Sequence, residues 1–326
     1  MLIPRIYTSQ IVEKLKTGNK AIIIYGPRQA GKTTLAKEVT QTLGLKTLYI
    51  NADEKKYLEA FSARDLNKMR GVIQGYKMLV LDEAQRIPEI GINLKILIDG
   101  LPELKLLVTG SSSFDLAQKV SEPLTGRAWT YTLYPVGLCE LKGLYNNFEL
   151  QNLLENFLLF GNYPEVLTTE NTADKQQLLT TITNSYLYKD VLDLAEVKHP
   201  GKIEDLLKLL AYQVGGLVSI NELSGALGLS RQAVERYISL LEKSFVIFRL
   251  KAFSRNLRKE VVKMDKIFFY DVGVRNAVID NFKSLADRND TGQLWENFII
   301  AERLKMLAFK NTPAGLYFWR KRKRHR

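Results

Sequence analysis

The sequence predicts an α/β fold built on a parallel sheet, with a phosphate-binding loop at the end of one strand. Three observations carry that expectation. The run Ala21-Ile22-Ile23-Ile24-Tyr25 is continuously apolar and rich in β-branched residues, as a strand covered on both faces must be. It leads directly into Gly26-Pro27-Arg28-Gln29-Ala30-Gly31-Lys32-Thr33, which fits the pattern GxxxxGK(S/T), and then into the helix-favouring Thr34-Leu35-Ala36-Lys37-Glu38. Two further apolar runs, Lys77 to Leu81 and Leu104 to Val108, end in Asp82-Glu83 and in Thr109-Gly110-Ser111, so polar chemistry collects at strand ends.

The spacing of the loop follows from what a polyphosphate needs. Gly26 and Gly31 let the backbone turn tightly and aim N–H groups at phosphate oxygens, and the N-terminus of the next helix adds partial positive charge. Lys32 is placed to reach β- and γ-phosphates, and the Thr33 hydroxyl to ligate Mg²⁺. Gly26 through Thr34 are therefore the expected nucleotide-binding residues. A strand ending at Asp82 puts that carboxylate beside the loop, where it can hold the ion, with Glu83 next along to orient an attacking water.

The remaining elements of this half are read from periodicity. Ile11, Val12 and Leu15 lie at helical spacing before the turn Thr17-Gly18-Asn19, Thr47 to Asn51 reads as a second strand, and a polar, mostly helical stretch runs to Gly75. At the end of the third strand, Ser111 or Ser112 is placed to hydrogen-bond near the γ-phosphate, whereas Ser113 fits a helix cap; the residues leave these roles open. Arg127 precedes the alternating strand Ala128 to Leu133. Its guanidinium suits charge stabilisation on a transferring phosphoryl group, including one on a neighbouring subunit, and equally suits an ordinary surface position.

Taken in order, YGPRQAGKTT, LVLDEAQ, LLVTGSSS and the GR before WTYTLYPVGLCEL resemble the prokaryotic AAA+ family in which an ATPase module precedes a winged helix and an uncharacterised, restriction-endonuclease-like C-terminal domain. The likeness covers nearly the whole chain. It implies a five-stranded parallel sheet between helices, ATP rather than GTP, Asp82 and Glu83 as the second acidic motif, Ser111 at the sensor position and Arg127 as the arginine of the GR motif. Action of that arginine in trans, and hence a homo-oligomer, is a family-level analogy.

The second half divides by pattern. From Glu149 to Ala195 apolar residues recur at helical spacing, broken at Phe160-Gly161-Asn162-Tyr163-Pro164, which reads as a helical lid on the nucleotide site. Tyr186 and Tyr188 beside Lys189-Asp190 read as a helix face rather than a base-stacking platform. Residues 203–250 suggest helix, helix, turn and third helix from Arg231 to Lys243, followed by strands at Phe245–Leu250 and Lys263–Tyr270, the pattern of a winged helix. Such a module presents Ser230, Arg231, Gln232, Glu235 and Arg236 to double-stranded DNA, and the basic loop Arg255-Asn256-Leu257-Arg258-Lys259 suits phosphate contacts. Glu296 and Glu302 on a C-terminal helix are the available carboxylates for a nuclease centre, but the basic run Lys321 to Arg326 stands where the family continues into a further acidic strand, a departure that counts against nuclease activity. The expected segments are 1–147 for the ATPase, 148–200 for the lid, 201–270 for the winged helix and 271–326 for a partial C-terminal domain.

Composition limits the alternatives. The 326 residues, 46% of them apolar, supply material for more than one core. One cysteine, Cys139, excludes an internal disulfide framework, and two histidines leave little for zinc. A net charge of +12 favours a polyanionic partner. No stretch approaches the roughly 18 apolar residues of a membrane span, so the expected location is cytoplasmic. Three classes of function stay in view: a Mg²⁺-dependent ATPase, an ATP-regulated DNA-binding module, and a platform for a protein partner.

Overall fold

Apolar runs flanked by amphipathic helices can bury both faces of a strand only in a layered α/β arrangement, and that is the architecture of the computed structural model. It describes residues 2–110, 124–187, 200–253, 264–310 and 314–319, with side chains of 185–187 left aside. The sensor candidates Ser111, Ser112 and Ser113, the pair Tyr188 and Lys189-Asp190, the loop Arg255 to Lys259 and the tail Lys321 to Arg326 lie outside the described residues, as does the side chain of Tyr186.

The chain forms two compact units, Met1–Val136 and Gly137–Arg326. In the first, α1 (Ile6–Thr17), β1 (Ala21–Tyr25), α2 (Lys32–Leu43), β2 (Thr47–Asn51), α3 (Lys55–Ser62), α4 (Leu66–Ile73), β3 (Met78–Asp82), α5 (Ile90–Gly100), β4 (Lys105–Gly110) and β5 (Ala128–Thr132) follow in order. The five strands make one parallel sheet in the order β2-β3-β4-β1-β5. β1 and β3 are buried along their whole length, which is why they read as unbroken apolar runs rather than alternating ones. Because all strands point the same way, Gly26, Asp82 and Gly110 come to one rim, the carboxyl edge where open α/β sheets bind ligands.

The second unit contains α6 (Leu138–Leu141), α7 (Asn147–Asn152), α8 (Leu154–Phe160), α9 (Pro164–Thr168), α10 (Thr172–Thr181), α11 (Pro200–Tyr212), α12 (Ile220–Leu227), α13 (Arg231–Lys243), β6 (Ile247–Ala252), β7 (Lys266–Phe269), α14 (Val272–Val278), α15 (Thr291–Phe309) and β8 (Tyr317–Phe318). β6 and β7 are antiparallel, β8 adds to β6 in parallel, and Leu217 bridges Lys266. Ser219 accepts from the Glu222 N–H to open α12, and Ser230 accepts from the Ala233 N–H to open α13, so both helix starts carry side-chain caps.

One core runs through this unit. Phe160, Tyr163 and Leu179 of the first helices join Leu207 and Leu210 of α11, Val234 and Ile238 of α13, and Phe268 of β7 in a single cluster. Boundaries at 200/201 and 270/271 therefore cut through a shared core. Helical periodicity shows which face of a helix is apolar and is silent on what covers it.

Buried polar groups tie the same segments together. Asp271 caps α14 through the Gly273 and Val274 N–H groups and also accepts from Asn162 N–H at 2.7 Å. Burial pushes its carboxyl up, while Lys305 and these amide donors oppose the rise. Gly273 has no room for a side chain, because a Cβ there would lie 2.1 Å from the Phe160 carbonyl oxygen. Asn297, fully buried on α15, clamps the Phe269 main chain from both sides, accepting from its N–H at 2.7 Å and donating to its carbonyl at 2.9 Å. The break at Phe160–Pro164, the start of α14 and the Asn297 position of α15 are thus where buried backbone finds its hydrogen-bond partners.

This assigns Glu296 and Glu302 differently from a nuclease. Glu296 accepts from Lys266 Nζ at 2.7 Å. Glu302 accepts from Leu138 N–H at 2.6 Å, Asn162 Nδ2 at 3.3 Å and Lys305 Nζ at 2.8 Å. No group of three or more His, Cys, Asp or Glu side chains able to hold a metal occurs among the described residues. In the same set, no helix is long and apolar enough to cross a membrane.

Candidate nucleotide site

The site begins where β1 ends. Gly26 has φ +151°, and a Cβ there would stand 2.1 Å from the Leu133 carbonyl oxygen, so the first loop position admits glycine alone. Pro27, Arg28, Gln29 and Ala30 complete the turn, with Gln29 at φ 57°. Gly31 is the N-cap of α2 at φ 93° and offers no capping side chain. The start of α2 therefore carries no side-chain cap, and the positive end of the helix dipole faces the loop.

Lys32 is 5% exposed, and its Nζ donates to the Gly26 carbonyl at 3.0 Å and the Pro27 carbonyl at 2.8 Å. The ammonium is thus folded inside the loop that carries it. Thr33 and Thr34 are exposed on the first turn of α2. The Thr33 hydroxyl donates to Asp82 Oδ2 at 2.8 Å, so the loop and the acidic strand end meet as the sequence reading expects.

Asp82 is 4% exposed and is surrounded by hydroxyls. Besides Thr33, Tyr49 of β2 donates to Oδ2 at 2.5 Å, and Thr109 of β4 donates to Oδ1. Register explains both neighbours: Asn51 pairs with Asp82 on one side, and Leu81 pairs with Val108 on the other, which sets Thr109 beside Asp82. Burial, followed by the bond to Asp82, pushes the Tyr49 hydroxyl well above the usual phenol range, so it stays a donor. Glu83 adopts left-handed backbone (φ 53°), a conformation that costs about 1 kcal/mol in a non-glycine residue and is concentrated at functional sites. Its N–H donates to Thr109 Oγ1 at 3.4 Å and its carboxylate accepts from Gln85 Nε2 at 2.5 Å.

Three contributors went unread in the sequence. Arg5 is 8% exposed and donates to the Ala30 carbonyl and the Tyr134 carbonyl, both at 2.7 Å, tying the phosphate loop to the chain leaving β5. The available signal was one arginine set in an otherwise apolar lead-in, Leu2-Ile3-Pro4-Arg5-Ile6. Tyr49 carried no such mark and Thr109 only its place at a polar strand end, since the strand register alone brings them to Asp82.

Arg127 stands elsewhere. Ala21 pairs with Ala128 and Tyr25 with Thr132, so Arg127 lies at the start of β5 while the phosphate loop leaves the far end of β1. The two are separated by a five-residue strand, roughly 16 Å at 3.3 Å per residue. Its guanidinium forms a two-point pair with Asp99, at 2.8 and 3.2 Å, and holds that carboxyl below its usual range. This placement sets Arg127 away from the phosphate loop of its own chain and gives it Asp99 as its partner.

The donor set fits a magnesium nucleotide. Mg²⁺ is held by one or two carboxylates plus phosphate oxygens and retained waters rather than by an all-protein cage, and here hard oxygen donors, Thr33 and Asp82, meet at the mouth of a cationic loop.

Residues 18–142 match the family model of an AAA domain. Over that segment the chain resembles an AAA domain, with a phosphate loop at the end of β1 in a five-stranded parallel sheet. Beyond it, residues 151–285 match a family described only as a domain of unknown function. An uncharacterized protein of Mycobacterium tuberculosis, Rv2008c, is 28% identical over 302 residues, covering 92% of this chain and 64% of its own length. Another from Methanocaldococcus jannaschii, MJ1544, is 24% identical over 323 residues, covering 93% and 70%. The chain thus spans less than two thirds of the length of the mycobacterial relative. Among solved structures, the Walker-type ATPase PABY2304 of Pyrococcus abyssi superposes with a TM-score of 0.57 at 15% identity, over 85% of this chain and 96% of that one, a likeness of fold.

Proposed function

We propose that the AAA domain binds and hydrolyses ATP with Mg²⁺ and that turnover moves a winged-helix module formed by α11 to β7. The observation that carries the enzymatic part is the hydrogen bond between Thr33 and Asp82, which brings the end of the phosphate loop to the acidic strand end. In this reading Thr33 and Asp82 hold Mg²⁺, which when bound neutralises charge on the β- and γ-phosphate oxygens. Lys32 turns from its own loop carbonyls to those oxygens, the Gly26 to Thr34 backbone cradles them, and Glu83 orients the attacking water.

Phosphate release by the full chain tests this reading. Glu83→Gln is expected to lower turnover by about 10² to 10⁴-fold while nucleotide affinity stays near that of the parent, since only water activation is lost. Equal turnover in parent and variant contradicts the role given to Glu83.

A second reading, DNA contact, draws support from α13. Arg231, Gln232 and Arg236 are exposed at its N-terminal part, and Glu235, an acid that would oppose DNA on this face, is paired with Arg249 at 2.9 Å. Gel shifts on duplex DNA across a salt series are expected to give a steep slope that falls by about two when Arg231 and Arg236 are both replaced by alanine. An unchanged slope in the double variant removes α13 from any DNA interface.

A further inference from the structure

We propose that Tyr49 is a positioning residue that keeps Asp82 an acceptor for metal-bound water instead of a direct ligand, and thereby sets which divalent ion accompanies the nucleotide. This rests on the reading of Thr33 and Asp82 as a metal site. An ionised carboxylate accepts along about four directions. In Asp82, Oδ2 takes the hydroxyls of Thr33 at 2.8 Å and Tyr49 at 2.5 Å, and Oδ1 takes that of Thr109. The group is 4% exposed, so there is little bulk water to compensate a bond that is broken.

Both directions of Oδ2 are taken by Thr33 and Tyr49, so a cation that binds this carboxylate through both oxygens must displace one of those two donors, while Oδ1 keeps a single open direction. Thr33 is different, because a hydroxyl that donates its proton to Asp82 keeps lone pairs for an ion. The hydroxyl shell therefore presents one inner ligand, Thr33, and a carboxylate whose remaining capacity suits a hydrogen bond from coordinated water. Mg²⁺ keeps its waters and matches that arrangement, whereas Ca²⁺ prefers several direct carboxylate or carbonyl oxygens in flexible geometry. Tyr49 sits on β2, one of the two edge strands of the sheet, and its ring is only partly buried. Replacing it with phenylalanine removes the donor and keeps the ring, so the fold is expected to persist.

The test is equilibrium binding of a fluorescent ADP to the full chain, titrated separately with Mg²⁺ and Ca²⁺. Tyr49→Phe is expected to lower the half-saturating Ca²⁺ concentration relative to that of Mg²⁺ by about tenfold, the scale of one hydrogen bond to a charged group, with metal-free nucleotide affinity unchanged. Thr109→Val, which removes the other supporting donor, is expected to shift the same ratio in the same direction. A Ca²⁺ to Mg²⁺ ratio within about twofold of the parent in Tyr49→Phe overturns the inference, because loss of a merely structural bond weakens both ions alike. Parent protein whose nucleotide binding ignores both ions overturns the metal-site reading itself, and the two failures are told apart in the same titration.

Discussion

Lys32→Ala is expected to reduce phosphate release from ATP by at least about 10²-fold, the loss typical when a group stabilising transition-state charge is removed. The side chain is buried within the loop and its Nζ lies 2.8 Å from the Pro27 carbonyl, so the ammonium has only to turn from the loop's own carbonyls to meet phosphate oxygens. Alanine deletes that charge and leaves the helix intact, because Lys32 is the first residue of α2 and alanine is the best helix former. Phosphate release measured beside far-ultraviolet circular dichroism separates the two effects. Lost turnover with an unchanged spectrum is the expected pair of results; turnover near that of the parent would assign the activity to another site.

Asp290→Ala is expected to destabilise the second unit by about 3 to 5 kcal/mol, the cost of leaving buried charge unpaired. Arg275 is 1% exposed and Arg288 9% exposed, and both donate to Asp290: Arg275 Nη1 to Oδ2 at 2.5 Å, Arg288 Nε to Oδ1 at 2.8 Å. Burial alone would raise the Asp290 carboxyl, but the bonds from Arg288 and Arg275 outweigh it and hold the group at about 2. A carboxylate depressed from about 3.9 in the unfolded chain contributes its full stabilisation above that value and loses it as pH falls toward 2. Urea melts of parent and variant between pH 2 and 7 check both points. The difference between them is expected to be largest near neutrality and to shrink below about pH 4; a difference independent of pH would place the stabilisation in packing instead.

The two predictions sit in different units, and the sequence was legible to different depths in each. In the first, β1, the loop and α2 were readable because a doubly covered strand must be continuously apolar and a phosphate loop has fixed spacing. Lys32, Thr33 and Asp82 follow from that pattern. Tyr49 and Thr109 do not, since their contact with Asp82 depends on strand register, which local patterning leaves open. Arg127 shows the converse: the GR motif marks it, yet its place at the start of β5 comes only from the pairing of Ala21 with Ala128.

In the second unit, the helices α11 to α13 were legible from capping serines and apolar spacing. The network of Asn162, Asp271, Arg275, Asn276, Arg288 and Asp290 was not. Asn276 Nδ2 donates to the Leu158 and Leu159 carbonyls more than 110 residues away in sequence, at 3.0 and 2.9 Å. Polar residues of this kind look like loop chemistry until the backbone they satisfy is known. For the same reason Glu296 and Glu302, open in sequence to a part in a nuclease centre, prove to be partners of lysines and amides.

The central claim is that the loop closed by Lys32 and Thr33 and the strand end at Asp82 form one magnesium nucleotide site. Calorimetric titration of the full chain with a slowly hydrolysed ATP analogue tests it most directly. The account predicts saturable binding at one site per chain, tightened by Mg²⁺ in the parent and insensitive to Mg²⁺ in Asp82→Asn. Absence of binding, or binding whose response to Mg²⁺ survives that substitution, would contradict it.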